Sequence, residues 1–183
     1  MIIRSSESAV KKMASASTSE HKEKATKKGP VIAAIVTVSD TRTPATDING
    51  KYLKDQLEAA GHTVHSSRII EDEPALVESV LKELAAEDLQ VILFNGGTGI
   101  SRRDTTFDAL DRNLEKTLPG FGEIFRALSY EEIGSAAMMS RATAGVYGGK
   151  VIISTPGSPA AVRLAWEKLI SGELEHLAWE VSR

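Results

Sequence analysis

The chain of 183 residues contains no cysteine. That excludes a disulfide framework and any thiolate metal site. It suits a reducing compartment, so the expected location is the cytoplasm. No apolar run approaches the roughly 20 residues of a membrane-spanning helix, and no membrane contact is expected. Met1-Ile2-Ile3 is too short for the apolar part of a signal peptide, and Ser, Lys and Glu follow it. The four histidines show no metal-ligand spacing, which argues against zinc. Gly-x-Ser-x-Gly and a Ser/His/Asp pattern are missing. So are the dinucleotide fingerprint and the Walker loop: GVYGGK at 145–150 is one residue short and is followed by Val. No repeat of 20–50 residues is present.

What is present is an ordinary globular composition, with 42% hydrophobic and 26% charged residues, on a length that favours one domain. The charge is uneven. Residues 1–29 carry seven Lys or Arg against three Glu, whereas the other 154 residues carry 15 against 22. An acidic body argues against a nucleic-acid surface. Residues 1–29 read as a basic, disordered arm and 30–183 as the folded domain. The arm could also recruit an anionic partner.

Continuous apolar runs at 31–38 and 91–94, and again at 151–154, have the length and character of strands covered on both faces. A further strand is expected at 64–70, and 142–149 reads as a short hairpin. Helical spacing appears at 51–60, 74–86, 105–114, 121–128, 130–139, 159–170 and 173–181, with Leu118-Pro119-Gly120 read as a break. Alternating strands and helices predict a three-layer α/β/α fold around a mainly parallel sheet. Ligands of such sheets bind beyond the carboxyl ends of the strands.

Four strand ends carry suitable chemistry: Ser39 and Asp40 after the first, Asp72 after the second, NGGTGISRRD at 95–104 after the third, and TPGSP at 155–159 after the last. Gly96, Gly97 and Gly99 allow close backbone approach to a ligand, and exposed N–H groups before a helix make an anion site. Thr98 and Ser101 add hydroxyls, and Arg102 or Arg103 can face phosphate charge. A tight turn without ligand would use the same glycines. Asp104 suits a helix N-cap or a carboxylate holding a divalent cation beside phosphates. Asp72 suits either the second such carboxylate or an acidic loop before the helix opened by Pro74.

The strings TVSDTR, DING, EDE, GGTGISRRDTTFDAL, PGFGEIFRALSYEEIGSAAMMSRATAG and TPGSP, in this order, resemble the MoaB/MogA molybdopterin-binding family over about 150 residues. GFGEIFRALSYEEIG is more similar to the MoaB branch. The resemblance implies a molybdopterin-binding α/β domain that forms a homotrimer or a dimer of trimers and acts with other molybdenum-cofactor proteins. It implies molybdopterin adenylyltransfer with ATP and Mg²⁺, releasing pyrophosphate. Asp72 and Asp104 then match the catalytic, metal-holding aspartates. Gly96, Gly97, Thr98, Gly99 and Arg103 fall on the nucleotide and phosphate side. Ser39, Asp40, Ser140, Pro156 and Gly157 fall on the molybdopterin side. A non-catalytic binder that stores or delivers molybdopterin is the alternative within the same family. At DING the chain departs from the family, which more often has Ser before the Gly.

Overall fold

The computed structural model describes residues 28–183. The expectation of a disordered basic arm concerns residues 1–27 almost entirely, which lie outside the described residues.

Among the described residues six strands, β1 (Ile32–Val38), β2 (Thr63–Ile70), β3 (Val91–Asn95), β4 (Lys116–Thr117), β5 (Thr143–Tyr147) and β6 (Lys150–Thr155), form one sheet in the order β2-β1-β3-β6-β5-β4. β2, β1, β3 and β6 are parallel neighbours, and β5 runs antiparallel to both β6 and β4. The helices are α1 (Ile48–Ala59), α2 (Pro74–Ala85), α3 (Thr106–Asp111), α4 (Pro119–Ile133), α5 (Pro159–Ala165) and α6 (Leu174–Val181).

The period of two along each strand separates two cores. Ala33, Ile35, Leu93 and Ile153 face one layer, where Leu57, Phe125, Val162, Trp166 and Leu174 cover them. Ala34, Val36, Ile92 and Ile152 face the other, against Val77, Leu81, Leu84 and Leu110. This explains why β1, β3 and β6 are apolar over 32–36, 91–94 and 151–153: most of these residues face one core or the other. The three-layer expectation holds.

Several element boundaries differ from the sequence reading. α1 starts three residues early, because Asp47 accepts the Gly50 N–H (2.9 Å) and caps it. Asn49-Gly50 therefore lies inside the first helical turn. α3 stops at Asp111, and the Asn113 side chain takes the Ala109 carbonyl (2.7 Å) beyond its end. Leu118-Pro119-Gly120 is no break: Pro119 opens α4, where a missing N–H costs nothing. The helix expected at 130–139 is divided at Gly134 (φ 62°). Residues up to Ile133 extend α4, and Gly134–Met139 form a 3₁₀ turn. The helix at 159–170 ends in a π-helical turn, Trp166–Ile170. The hairpin is present, but its second arm is β6. Gly148 and Gly149 (φ 55° and 71°) make a two-residue turn between β5 and β6.

Candidate functional site

The parallel strands bring the ends of β1, β3 and β6 to one rim, where they enclose a cleft of about 470 Å³. Of the residues singled out from sequence, Ser39, Gly96, Gly97, Thr98, Gly99, Asp104, Ser140, Pro156 and Gly157 line it. Asp40, Asp72 and Arg103 stand beside it and connect its loops.

The glycine loop is fixed at its start by the sheet. Gly96 N–H donates to the Thr155 carbonyl (3.0 Å), and Gly97 O accepts the Thr106 N–H (3.0 Å). Gly96 and Gly97 have φ of 103° and 63°, a region unfavourable to other residues. A side chain at Gly96 would also strike the Val38 carbonyl, and one at Gly97 would strike Thr106 and Asp72. Among the described residues, the N–H groups of Gly97, Thr98 and Gly99 have no hydrogen-bond partner. Consecutive free N–H groups at a cleft form an anion-binding nest.

Asp72 is only 8% exposed. Its Oδ1 accepts from Thr105 N–H (3.1 Å), Thr105 Oγ1 (2.9 Å) and Thr106 Oγ1 (3.1 Å). It thereby holds the segment that opens α3, while its Oδ2 lies against Gly97. Asp104 is half-buried on the cleft side of the same loop, near Gly99. Its Oδ2 accepts from the N–H (3.2 Å) and the hydroxyl of Ser101, within its own turn.

Arg103 pairs with Asp40 (2.5 Å) and approaches Glu73 (3.7 Å). Asp40 Oδ1 also accepts the Asp72 N–H (3.1 Å), so one chain of contacts ties the ends of β1, β2 and β3. The Arg103 hydrogen bond, followed by that from the Asp72 backbone, holds the Asp40 carboxyl below the ordinary aspartate value. Asp40 in turn raises the Arg103 guanidinium, which stays charged.

Sequence reasoning missed an asparagine pair beneath the cleft. Asn49 donates to the Gly157 carbonyl (2.8 Å) and to Asn95 Oδ1 (3.2 Å), and Asn95 donates to Thr37 Oγ1 (2.9 Å). These bonds join α1, the sheet floor and the TPGSP loop. DING was visible in the sequence, but its packing against residues 95 and 157 was not. Arg42 also lines the cleft, with Nη1 on the Thr46 carbonyl (2.8 Å).

The implied Mg²⁺ fits the donor chemistry. Among the described residues no three His, Cys, Asp or Glu side chains gather into a metal cage. Mg²⁺ usually takes one or two carboxylates together with substrate phosphates. Asp104 offers Oδ1 at the cleft, and Asp72 retains Oδ2 on the side of Gly97.

A mainly parallel sheet with a glycine nest and a carboxylate at its carboxyl rim defines an α/β domain that carries donors suited to an anionic ligand. A family model described as "Probable molybdopterin binding domain" matches residues 34–176. Molybdenum cofactor biosynthesis protein B of Bacillus anthracis is 50% identical over 169 residues, covering 91% of this chain and 99% of that protein. A crystal structure of a molybdenum cofactor biosynthesis protein B aligns with a TM-score of 0.80 at 49% identity, over 84% of this chain and 97% of the other. The tungsten cofactor synthesizing protein MoaB from Pyrococcus furiosus aligns at 0.76 and 33% identity, over 84% and 98%. The chain belongs to the molybdopterin-binding domain family, with MoaB proteins among its relatives. Among the described residues no helix is long and apolar enough to cross a membrane.

Proposed function

We propose that this protein acts in molybdenum cofactor biosynthesis by adenylylating molybdopterin. The observation that carries the reading is the pairing of free N–H groups at 97–99 with the Asp104 carboxylate in one cleft. The reaction joins a terminal phosphate oxygen of molybdopterin to the α-phosphorus of ATP. The bond from that phosphorus to the oxygen bridging to the β-phosphate breaks, and pyrophosphate leaves.

No covalent enzyme intermediate is needed, so the protein's task is to hold two anions in line and offset their repulsion. The nest at Gly97, Thr98 and Gly99 receives the nucleotide phosphates. Arg42 offers a cation from the β1 side. Ser39 after β1 and Pro156 and Gly157 after β6 flank the glycine loop on its two sides, and with Ser140 they form the part of the cleft where molybdopterin binds. Asp104 would hold Mg²⁺ against the phosphates, and Asp72 would reach it through Oδ2 while Oδ1 keeps the loop in place. When bound, the cation supplies charge neutralisation at the phosphoryl oxygens. Asp40 and Arg103 brace the loops, and Arg103 can reach a phosphate only by leaving Asp40 and Glu73.

The resemblance also implies a homotrimer or a dimer of trimers. Ile124, Tyr130, Ile133, Met138 and Met139 are exposed apolar side chains on α4 and the 3₁₀ turn, which contact with further copies would cover. Light scattering at micromolar concentration should give three or six times the chain mass, and a monomer would reject the assembly. The activity is tested by incubating the protein with molybdopterin, ATP and Mg²⁺. Pyrophosphate release is expected, and intact binding without release would favour the storage or delivery alternative.

A further inference from the structure

Arg141 follows the cleft residue Ser140 but does not itself line the cleft. Instead it stands behind the glycine loop with every donor of its guanidinium engaged. Nε donates to the Thr98 carbonyl (2.9 Å). Nη1 meets both carboxylate oxygens of Asp108 (2.9 Å each). Nη2 donates to the carbonyls of Gly99 and Asp104, the latter at 3.3 Å. The guanidinium also lies over the Phe107 ring, 4.8 Å from its centroid. A surface arginine on a solvated face makes no such set. Five N–H donors in a planar fork meet five acceptor oxygens, a match that lysine's three donors cannot reproduce.

The peptide geometry gives this clamp a consequence for ligand binding. The Thr98 carbonyl shares its peptide unit with the Gly99 N–H, and the Gly99 carbonyl shares its unit with the Ile100 N–H. Both units are trans. In a trans peptide the C=O and N–H point in opposite directions. With both carbonyls turned onto Arg141, the N–H groups of Gly99 and Ile100 point away from it. Gly99 lines the cleft and Arg141 does not, so the grip on the Thr98 carbonyl aims the Gly99 N–H, one of the three donors of the nest, toward the side where an anion would sit. Asp108 balances the Arg141 charge and Phe107 supports the guanidinium plane, so these two residues set the clamp's orientation.

We infer that Arg141 is a positioning residue that turns the Gly99 N–H of the glycine loop toward the phosphates of a bound nucleotide and holds the loop around it. The inference rests on the nucleotide reading above, because the anion is taken to be a nucleoside triphosphate. Arg141 does not touch the ligand; it acts through the backbone at 98–104. Through its neighbour Ser140 it also links this loop to another lining residue of the cleft.

The test compares wild type with Arg141→Lys and with Phe107→Leu, which keeps the arginine but removes its shelf. Amide hydrogen exchange should rise selectively at Ser101 and at 103–106, whose N–H groups are bonded within the loop, in Arg141→Lys, with β1, β3 and β6 still protected. Phe107→Leu should show a smaller rise in the same place. Affinity for a non-hydrolysable ATP analogue with Mg²⁺ should fall about tenfold in Arg141→Lys, the scale of losing charge-assisted hydrogen bonds. In turnover, KM for ATP should rise more than KM for molybdopterin. Unchanged loop exchange would overturn the inference, as would an exchange increase shared equally with the core strands or an unchanged analogue affinity. Failure of the wild type to bind the analogue would reject the nucleotide reading itself, and exchange at 101 and 103–106 would then decide the clamp alone.

Discussion

Asp72 and Asp104 flank the same glycine loop, yet the fold holds them in opposite ways. Asp72 is buried and takes three donors from Thr105 and Thr106, across 33 and 34 residues of sequence. Asp104 is half-buried and takes donors only from Ser101, three residues away. The first carboxylate is built into the scaffold; the second is carried by the loop and faces the cleft. Two aspartates that sequence reasoning paired as equivalent metal ligands should therefore respond differently to mutation. Loss of Asp104 should affect chemistry, and loss of Asp72 should affect both chemistry and stability.

The largest effect is expected for Asp104→Asn. Pyrophosphate release should fall on the order of a hundredfold to a thousandfold, the scale for removing a group that stabilises developing charge. Its thermal midpoint should stay close to wild type, because only Ser101 loses a partner. An equal loss of stability in this variant and in Asp72 variants would break the contrast.

Asp72→Ala should be the least stable of the set. It leaves the fully buried Thr106 hydroxyl and the Thr105 N–H without their acceptor. The expected cost is about 2–4 kcal/mol, measured by urea unfolding, since each unsatisfied buried group costs about 1–3 kcal/mol. A cost below about 0.5 kcal/mol, the usual range for a surface change, would show that Asp72 does not brace the loop.

Gly97→Ala sharpens the same point from the backbone side. Its methyl group would need a φ of 63° and would sit about 2.5 Å from Asp72 Oδ2. A loss of about 1–3 kcal/mol is expected, and Asp72→Asn in the same chain should change that loss, because neighbouring groups couple. Strict additivity would mean that the two do not press on each other.

The smallest effect concerns pH. Arg103, then the Asp72 N–H, lowers the Asp40 pKa in the folded state below the usual 3.8. A depressed folded-state value means that this contribution is present above the unfolded pKa and is lost as pH falls through the folded one. Asp40 is exposed, so the effect on stability should be slight. NMR titration of Asp40 should show a midpoint below 3.8 that moves up in Arg103→Gln. An unmoved midpoint would remove the link between the two loops.

Much of this was legible in the sequence because burial leaves a pattern. Runs such as VIAAIVTV and VILF stay apolar because both faces of β1 and β3 are covered. The glycine loop and TPGSP stood out because turns at strand ends use few residue types. β4 was not legible: Lys116 and Thr117 are exposed polar residues, and only pairing with Gly145 and Val146 makes them a strand. The roles of Asn49 and Arg141 were equally hidden. Their partners lie 46 and 108 residues away for Asn49, and 33–43 residues away for Arg141. Ser140-Arg141 could be noticed as a pair, but nothing local says that one faces the cleft and the other grips the loop behind it.

The most direct test of the account is pyrophosphate release by wild type and Asp104→Asn, each shown separately to bind molybdopterin. Release dependent on ATP and Mg²⁺ in the wild type, almost abolished in Asp104→Asn with molybdopterin binding intact, is the predicted result. Equal release by both, or none from a wild type that binds both substrates, would contradict it.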